Sequence, residues 1–201
     1  MDSKVVSQLI RKAVWPRLRD QAFSKFSSRD AWRFGRAFCV VNFQSFSSYL
    51  ANGLGCTTFS FAVNLGLNFD FMPLGMTMRM PSIERPPRES ECIFRKPLLR
   101  RLNQPGNEHP QIWTVDPSGN NAEECVSDAL NVLLRDAMPW FEMVGDLSKA
   151  AQIVEHEDEE FGRSGPIGTW GFGRPGSPLR LRTLAHLRAE LNRQGSAGAL
   201  A

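Results

Sequence analysis

From Thr57 to Leu67 the chain alternates strictly, with Thr57, Phe59, Phe61, Val63, Leu65 and Leu67 on one register and Thr58, Ser60, Ala62, Asn64 and Gly66 on the other. A period of two is the signature of a strand with one buried face and is incompatible with a helical stripe. The chain must therefore build a sheet and cover its Phe-rich face. The run from Trp32 to Phe46, rich in aromatic and β-branched residues, reads as a second strand. Between them, Ser47 to Gly55 holds Asn52-Gly53 and Gly55, which predicts a long hairpin loop joining an antiparallel pair. Glu91–Lys96 and Ile112–Val115 predict a third and a fourth strand, the latter closed by the turn Asp116-Pro117-Ser118-Gly119.

Helical spacing appears outside these runs. Val6, Leu9, Ile10, Ala13 and Val14 predict a first helix capped by Ser3 or Asp2, which Pro16 should kink or end. Asn121 with Glu124 resembles a capping box ahead of Val126, Ala129, Leu130, Leu133, Leu134 and Ala137, and this helix is expected to stop at Met138-Pro139. Asp146 predicts a cap for a helix carrying Leu147, Ala150, Ala151 and Val154, frayed where it meets the acidic run Glu155 to Glu160. Four prolines argue against regular structure over 68–90, where Met72, Met76, Met78 and Met80 read as a packed loop rather than a metal site. The order helix, strands, helices predicts an α+β domain: an antiparallel sheet of four or five strands with helices packed mainly on one face. That domain is expected to span 1–160. Residues 161–201, rich in Gly and Pro, read as a tail with one possible short helix, in which Ser177 caps Pro178 and Leu181, Leu184, Leu187 and Leu191 form a stripe.

Composition narrows the function classes. With 42% hydrophobic and 22% charged residues the chain is globular, and 14 Phe against one Tyr call for burial. No apolar stretch approaches the ~18–20 residues of a membrane span and no signal-peptide core opens the chain, so a cytoplasmic location is expected, without membrane partners. Cys39, Cys56, Cys92 and Cys125 are too dispersed for a disulfide framework or a closed zinc site, and His156 among carboxylates reads as a solvated helix end. No metal and no cofactor is expected. Gly171 to Gly176 satisfies GxGxxG formally but follows no strand and contains Pro175, so it reads as a linker. Residues 1–105 carry 16 Lys/Arg and 7 Asp/Glu, against 8 and 14 in the remainder, a split that suits halves pairing with each other or a basic nucleic-acid face.

One constellation stands out. With Cys39, Val41 and Phe43 facing a core, Asn42 and Gln44 share the opposite face with Asn64 of the neighbouring strand. Three carboxamides beside Phe38 and Phe46 suit a neutral polar ligand or a peptide backbone, or bond each other. Arg33 at the start of the same run and Glu142 after Pro139-Trp140-Phe141 are the charged groups to join them, so the candidate ligand-binding residues are Arg33, Asn42, Gln44, Asn64 and Glu142. No catalytic residue is nominated.

The segments Asp30-Ala31-Trp32-Arg33, Val40-Val41-Asn42-Phe43-Gln44-Ser45-Phe46, Thr57 to Gly66 and Leu133 to Glu142 resemble DUF4304, a bacterial family of unknown function, over roughly residues 3–155. Ala22-Phe23 stands where the resemblance implies Gly-Phe, and the chain after Glu160 has no counterpart. The resemblance implies no activity, catalytic residue or cofactor. Three classes follow. The first is a non-catalytic binding or interaction module, of immunity or regulatory type, that uses the open sheet face and whose partner is a protein or a small polar ligand. The second is a nucleic-acid binder using Arg29, Arg33, Arg36 and the Arg95 to Arg101 segment. The third is a small-molecule hydrolase with an unrecognised carboxylate site.

Overall fold

The computed structural model describes residues 3–75, 77–156 and 169–198. Its elements run α1 (Ser3–Arg19), β1 (Lys25–Phe26), β2 (Asp30–Arg33), β3 (Ala37–Ser45), α2 (Ser48–Gly53), β4 (Phe61–Phe69), β5 (Phe94–Pro97), β6 (Ile112–Trp113), α3 (Ala122–Val132), a π turn (Leu133–Ala137), α4 (Met138–Gly145), α5 (Leu147–His156) and α6 (Pro178–Gly198). The strands form one antiparallel sheet in the order β1-β2-β3-β4-β5, with β6 also on β4, and the fold is α+β. Phe61 stands opposite Trp113 and Ala62 opposite Ile112. No helix among the described residues is long and apolar enough to cross a membrane.

The strand boundaries move from those predicted, for local polar reasons. The Trp32–Phe46 run breaks at the turn Phe34-Gly35-Arg36 into two neighbouring strands, and the rings of Phe34 and Phe38 meet edge-on at 5.4 Å beside the turn. Thr57 to Ser60 is a turn rather than strand, because Ser60 Oγ accepts from Thr57 N–H at 3.2 Å while Ser60 N–H bonds Thr57 O. The expected hairpin loop holds α2, whose first turn is capped by Ser47 Oγ accepting from Leu50 N–H.

The chain clusters into two compact units, the first comprising residues 1–33, 40–65 and 97–138. Its core is a ladder of rings: Trp15 of α1 lies 5.5 Å from both Phe26 and Phe43, Phe43 5.8 Å from Phe61, and Phe61 5.7 Å from Trp113 with the planes 5° apart. Each such pair contributes about 0.5–1.5 kcal/mol beyond its burial. Pro16 does not end α1, which continues to Arg19. The helix closes instead on a Schellman arrangement, Phe23 N–H to Leu18 O and Ala22 N–H to Arg19 O, both 3.0 Å, with Leu18 and Phe23 buried. Ala22 occupies the left-handed position at φ 62°, where glycine is favoured. This is the physical content of the Gly-Phe expectation.

Helical structure also passes Met138-Pro139 rather than stopping there. The π turn bonds Met138 N–H to Leu133 O, and widening the turn at this point relieves the clash of the Pro139 ring with a preceding carbonyl. At the other end, the Asn121 side chain makes no capping bond.

The second unit comprises residues 34–39, 66–96 and those from 139 onward. Phe69, Phe94 and Phe172 form its ring cluster, at 6.2 Å and 6.1 Å. Asp146 caps α5 as predicted, through Lys149 N–H at 2.9 Å. Trp170 exchanges both backbone hydrogen bonds with Arg95, whose guanidinium lies 4.0 Å over the indole and bonds Glu89 at 2.7 Å. Helix α6 runs 21 residues, capped by Ser177 Oγ on Arg180 N–H. Its inward stripe takes in part of the predicted leucine row: Leu187 is buried and Leu184 and Leu191 half-buried, Leu181 is 60% exposed, and Arg180, Thr183 and Glu190 are buried beside them. The polar members have partners. Arg180 donates to Val154 O in the last turn of α5, and Glu190 is clamped by Arg36 and Arg193. Residues 157–168, including Glu157 to Glu160 and the start of the predicted tail, lie outside the described residues.

Two substitutions test these backbone constraints by chemical denaturation. Ala22→Gly should raise stability by about 0.5–1 kcal/mol, since relief of left-handed strain of ~1–2 kcal/mol is partly offset by the added freedom of the unfolded chain. Gly171→Ala should lower stability by about 2 kcal/mol or more, because φ is 109° and a Cβ would lie 2.5 Å from Ile93 O. An unchanged Gly171→Ala protein would mean that residues 169–173 do not contribute to the folded unit.

Candidate functional site

Position by position, the sheet face carries the predicted carboxamides. Asn42 and Gln44 lie on β3 and Asn64 on β4, with Gln44 exposed and the other two half-buried. They are bonded as pairs: Asn64 Nδ2 donates to Gln44 Oε1 at 2.9 Å, and Asn42 Nδ2 to Asp30 Oδ1 at 2.7 Å. Asp30 Oδ2 in turn accepts from Ser27 Oγ at 3.0 Å. Arg33, on β2, places its guanidinium 5.7 Å from the Phe23 ring. Glu142 is exposed on α4 in the second unit. The structure thus joins Gln44 to Asn64, and joins Asn42 to a carboxylate that the sequence reading did not nominate.

Several arginines of the nucleic-acid alternative are engaged inside the protein. Arg36 pairs with Glu190, Arg95 with Glu89, and Arg101 with Asp136 at 3.4 Å. Arg100 donates to the carbonyls of Gln104, Asn107 and His109. Partial burial lowers the pKa of Arg29, against the raising effect of Asp30.

A cavity of about 400 Å³ in the first unit lies between the loop 102–107 and the turn that leads from β6 into α3. Its walls are set by carboxamides that act as substitutes for backbone. Gln104 accepts from Thr114 N–H at 2.8 Å and donates to Thr114 O at 2.7 Å, closing the same two-bond ring that a neighbouring strand would make. Asn121 donates to Thr114 O and accepts from Asp116 N–H, both at 2.9 Å, so its side chain is spent on the turn instead of on the capping box predicted. Asn107 bonds Thr114 Oγ1, Ile112 O at 3.3 Å and His109 N–H at 2.9 Å. These bonds leave the wall little freedom, since each amide holds backbone groups that burial would otherwise penalise by about 1–3 kcal/mol each.

Two carboxylates also line the cavity, Asp116 and Glu124, with no Lys or Arg among the lining residues. Asp116 Oδ1 accepts from Ser118 Oγ at 2.6 Å and from the backbone N–H groups of Gly119 and Asn120. Ser118 first, then these N–H groups, hold the carboxyl below its usual pKa, so Asp116 is ionised at neutral and mildly acidic pH. Cys125 borders this wall, bonded to Gln104 Nε2 and Thr114 O. Burial pushes its thiol up to about 11, which keeps it protonated and poorly nucleophilic.

Sequence reasoning missed the cavity because residues 98–110 show neither period. The available signal was the run Asn103-Gln104-Pro105-Gly106-Asn107 facing Asp116-Pro117-Ser118-Gly119-Asn120-Asn121, two turn-forming stretches dense in carboxamides.

A family model described as "Domain of unknown function (DUF4304)" matches residues 14–143, which includes both the cavity and the carboxamide face. No curated protein and no solved structure matches the chain.

The two sets of carboxamides should respond differently to truncation. Asn42→Ala with Gln44→Ala is expected to cost no more than ~1 kcal/mol, as for partly solvated groups, whereas Gln104→Ala alone should cost about 1–3 kcal/mol by stranding Thr114 N–H, since Thr114 O keeps its bond from Asn121. Urea titrations giving the reverse order would locate the structural amides on the sheet. Thiol labelling at pH 8 tests the cysteines: with about 0.1% thiolate, Cys125 should stay unlabelled in the native protein, with half-buried Cys56 modified first. Fast native labelling of Cys125 would contradict its environment.

Proposed function

We propose that this chain, which belongs to the DUF4304 family, is a bacterial, cytoplasmic, non-catalytic binding module that receives a polar ligand, or a polar group of a partner protein, in the cavity beside the first turn of α3. One observation carries the reading. The cavity wall is built in advance by Gln104, Asn107 and Asn121, whose amides are committed to backbone. A site whose shape is fixed before binding avoids the entropy cost of ordering side chains on association, about 0.5–1.5 kcal/mol for each one immobilised. Its volume falls within the range of small-molecule sites, about 300–1,000 Å³.

One observation favours this reading over the nucleic-acid alternative. Four arginines of the basic half, Arg36, Arg95, Arg100 and Arg101, are already bonded to carboxylates or carbonyls, and breaking such contacts to reach phosphate would offset the gain.

Asn103 lines the cavity and is exposed, so Asn103→Trp should fill the space while leaving the fold intact. Native mass spectrometry of the purified protein, followed by a thermal-shift screen of polar small molecules, is expected to give a ligand whose binding Asn103→Trp abolishes at an unchanged melting temperature. A ligand bound equally well by Asn103→Trp would move the site elsewhere, with the face of Asn42, Gln44, Asn64 and Arg33 next to be mutated.

A further inference from the structure

Thr169-Trp170-Gly171-Phe172 lies beyond the family match at 14–143, yet the groups that hold it lie inside that match. Trp140 Nε1 donates to Thr169 Oγ1 at 2.8 Å, with both residues buried. Trp170 exchanges backbone hydrogen bonds of 2.7 and 2.9 Å with Arg95 of β5 and lies under the Arg95 guanidinium, which Glu89 fixes in turn. Gly171, at φ 109°, passes so close to the main chain that a Cβ would lie 2.5 Å from Ile93 O. Phe172 is fully buried and completes the ring cluster of Phe69 and Phe94. A hydroxyl, an indole, a bare Cα and a phenyl ring are each read by a separate device. Sheets that recognise peptides read an extended partner in this way: an edge strand supplies main-chain bonds, and flanking groups select the side chains. Helix α6 has further attachments of its own, through Arg180 to Val154 O and through Glu190 to Arg36, so its seat does not rest on these four residues alone.

We infer that the β5 edge, with Phe94, Arg95 and Trp140, is a docking groove for an extended peptide, and that residues 169–172 occupy it in cis as a resident ligand. The partner it fits is a protein segment with the same order of groups, a small hydroxyl residue, an aromatic ring, glycine and phenylalanine, which binds by displacing the resident one. The groove lies wholly within the second unit and does not depend on the cavity reading. A tethered occupant competes at an effective concentration on the order of millimolar. The wild-type chain is therefore expected to bind such a segment weakly, and to bind it well once the cis copy is expelled.

Gly171→Ala in the full chain expels the cis segment through its clash with Ile93 O and leaves the groove side chains unchanged. The probe is a fluorescein-labelled peptide of residues 169–177, followed by anisotropy and thermal shift, with a scrambled peptide and a peptide carrying Gly171→Ala as controls. The probe should bind the Gly171→Ala chain about tenfold or more tightly than it binds wild type and raise its melting temperature, and neither control should do so. Adding Trp140→Phe to that chain should weaken binding several-fold, through loss of the bond to the peptide threonine. Should the Gly171→Ala chain fail to fold by itself, the probe peptide present during refolding is expected to restore a cooperative transition. A Gly171→Ala chain that binds the probe no better than the scrambled peptide, or that the probe does not help to refold, would make residues 169–172 a fixed piece of core and overturn the proposal. Concentration-dependent dimers of the wild-type chain that excess peptide disperses would overturn the choice of partner and assign the groove to a second copy of this chain.

Discussion

The stack of Trp113 on Phe61 is the contact on which the first compact unit depends. A strand of two residues such as β6 has too few ladder bonds to hold itself against β4. Its position is fixed instead by two large rings lying 5.7 Å apart and nearly parallel, with Phe43 and Trp15 continuing the ladder. The indole N–H of Trp113 then bonds Asp128 on α3 at 2.8 Å, and the same carboxylate oxygen accepts from Arg101 N–H at 3.0 Å. One side chain thereby registers a strand, a helix and a loop. The cavity lies among the residues that follow from it: Thr114 and Asp116 come directly after Trp113, and Asn121 and Glu124 lie at the start of α3.

Carboxamides repeatedly stand in for missing backbone partners. Gln104 does so for Thr114, and Asn68 does so in the second unit, buried completely, donating to Phe69 O and Met72 O and accepting from Ile93 N–H. The reason is geometric. An amide offers a donor and an acceptor at nearly the spacing of a peptide group, so it satisfies a loop wherever a further strand does not fit. Hydroxyls serve the same end at the start of β4, where Thr57 Oγ1 donates to Val115 O and Ser60 Oγ accepts from Val115 N–H. Loops built in this way are long and irregular yet held at many points, a sound base for a recognition site.

The charge asymmetry along the chain is met in part inside the fold. Arginines of the basic first half close on carbonyls, on aromatic faces and on acids, two of which come from the acidic second half: Arg36 meets Glu190 and Arg101 meets Asp136. Arginine suits these positions because its planar fork satisfies several acceptors at once. Arg79 illustrates this, bonding Arg85 O, Pro86 O and Glu91 together. That Pro-rich segment is held less by secondary structure than by one guanidinium.

Local periodicity and turn chemistry made the fold class legible from the sequence. The alternation that culminates in β4, the helical stripes of α1, α3 and α5, and the caps at Asp146 and Ser177 each need only a few neighbouring residues to act. The pairing of Gln44 with Asn64 was within reach too, because strand parity fixes which residues share a face. Tertiary structure alone decided the rest. Whether Pro139 ends a helix depends on a π turn; which stripe of α6 faces inward depends on an acceptor supplied by Val154 and a donor supplied by Arg36; and the cavity depends on Gln104 finding Thr114 ten residues away without any period to announce it. Periodicity reports which face of an element is apolar. It cannot report which polar groups will be partnered, because a partner's position follows from packing the whole chain, and here it is those partnered polar groups that build the site.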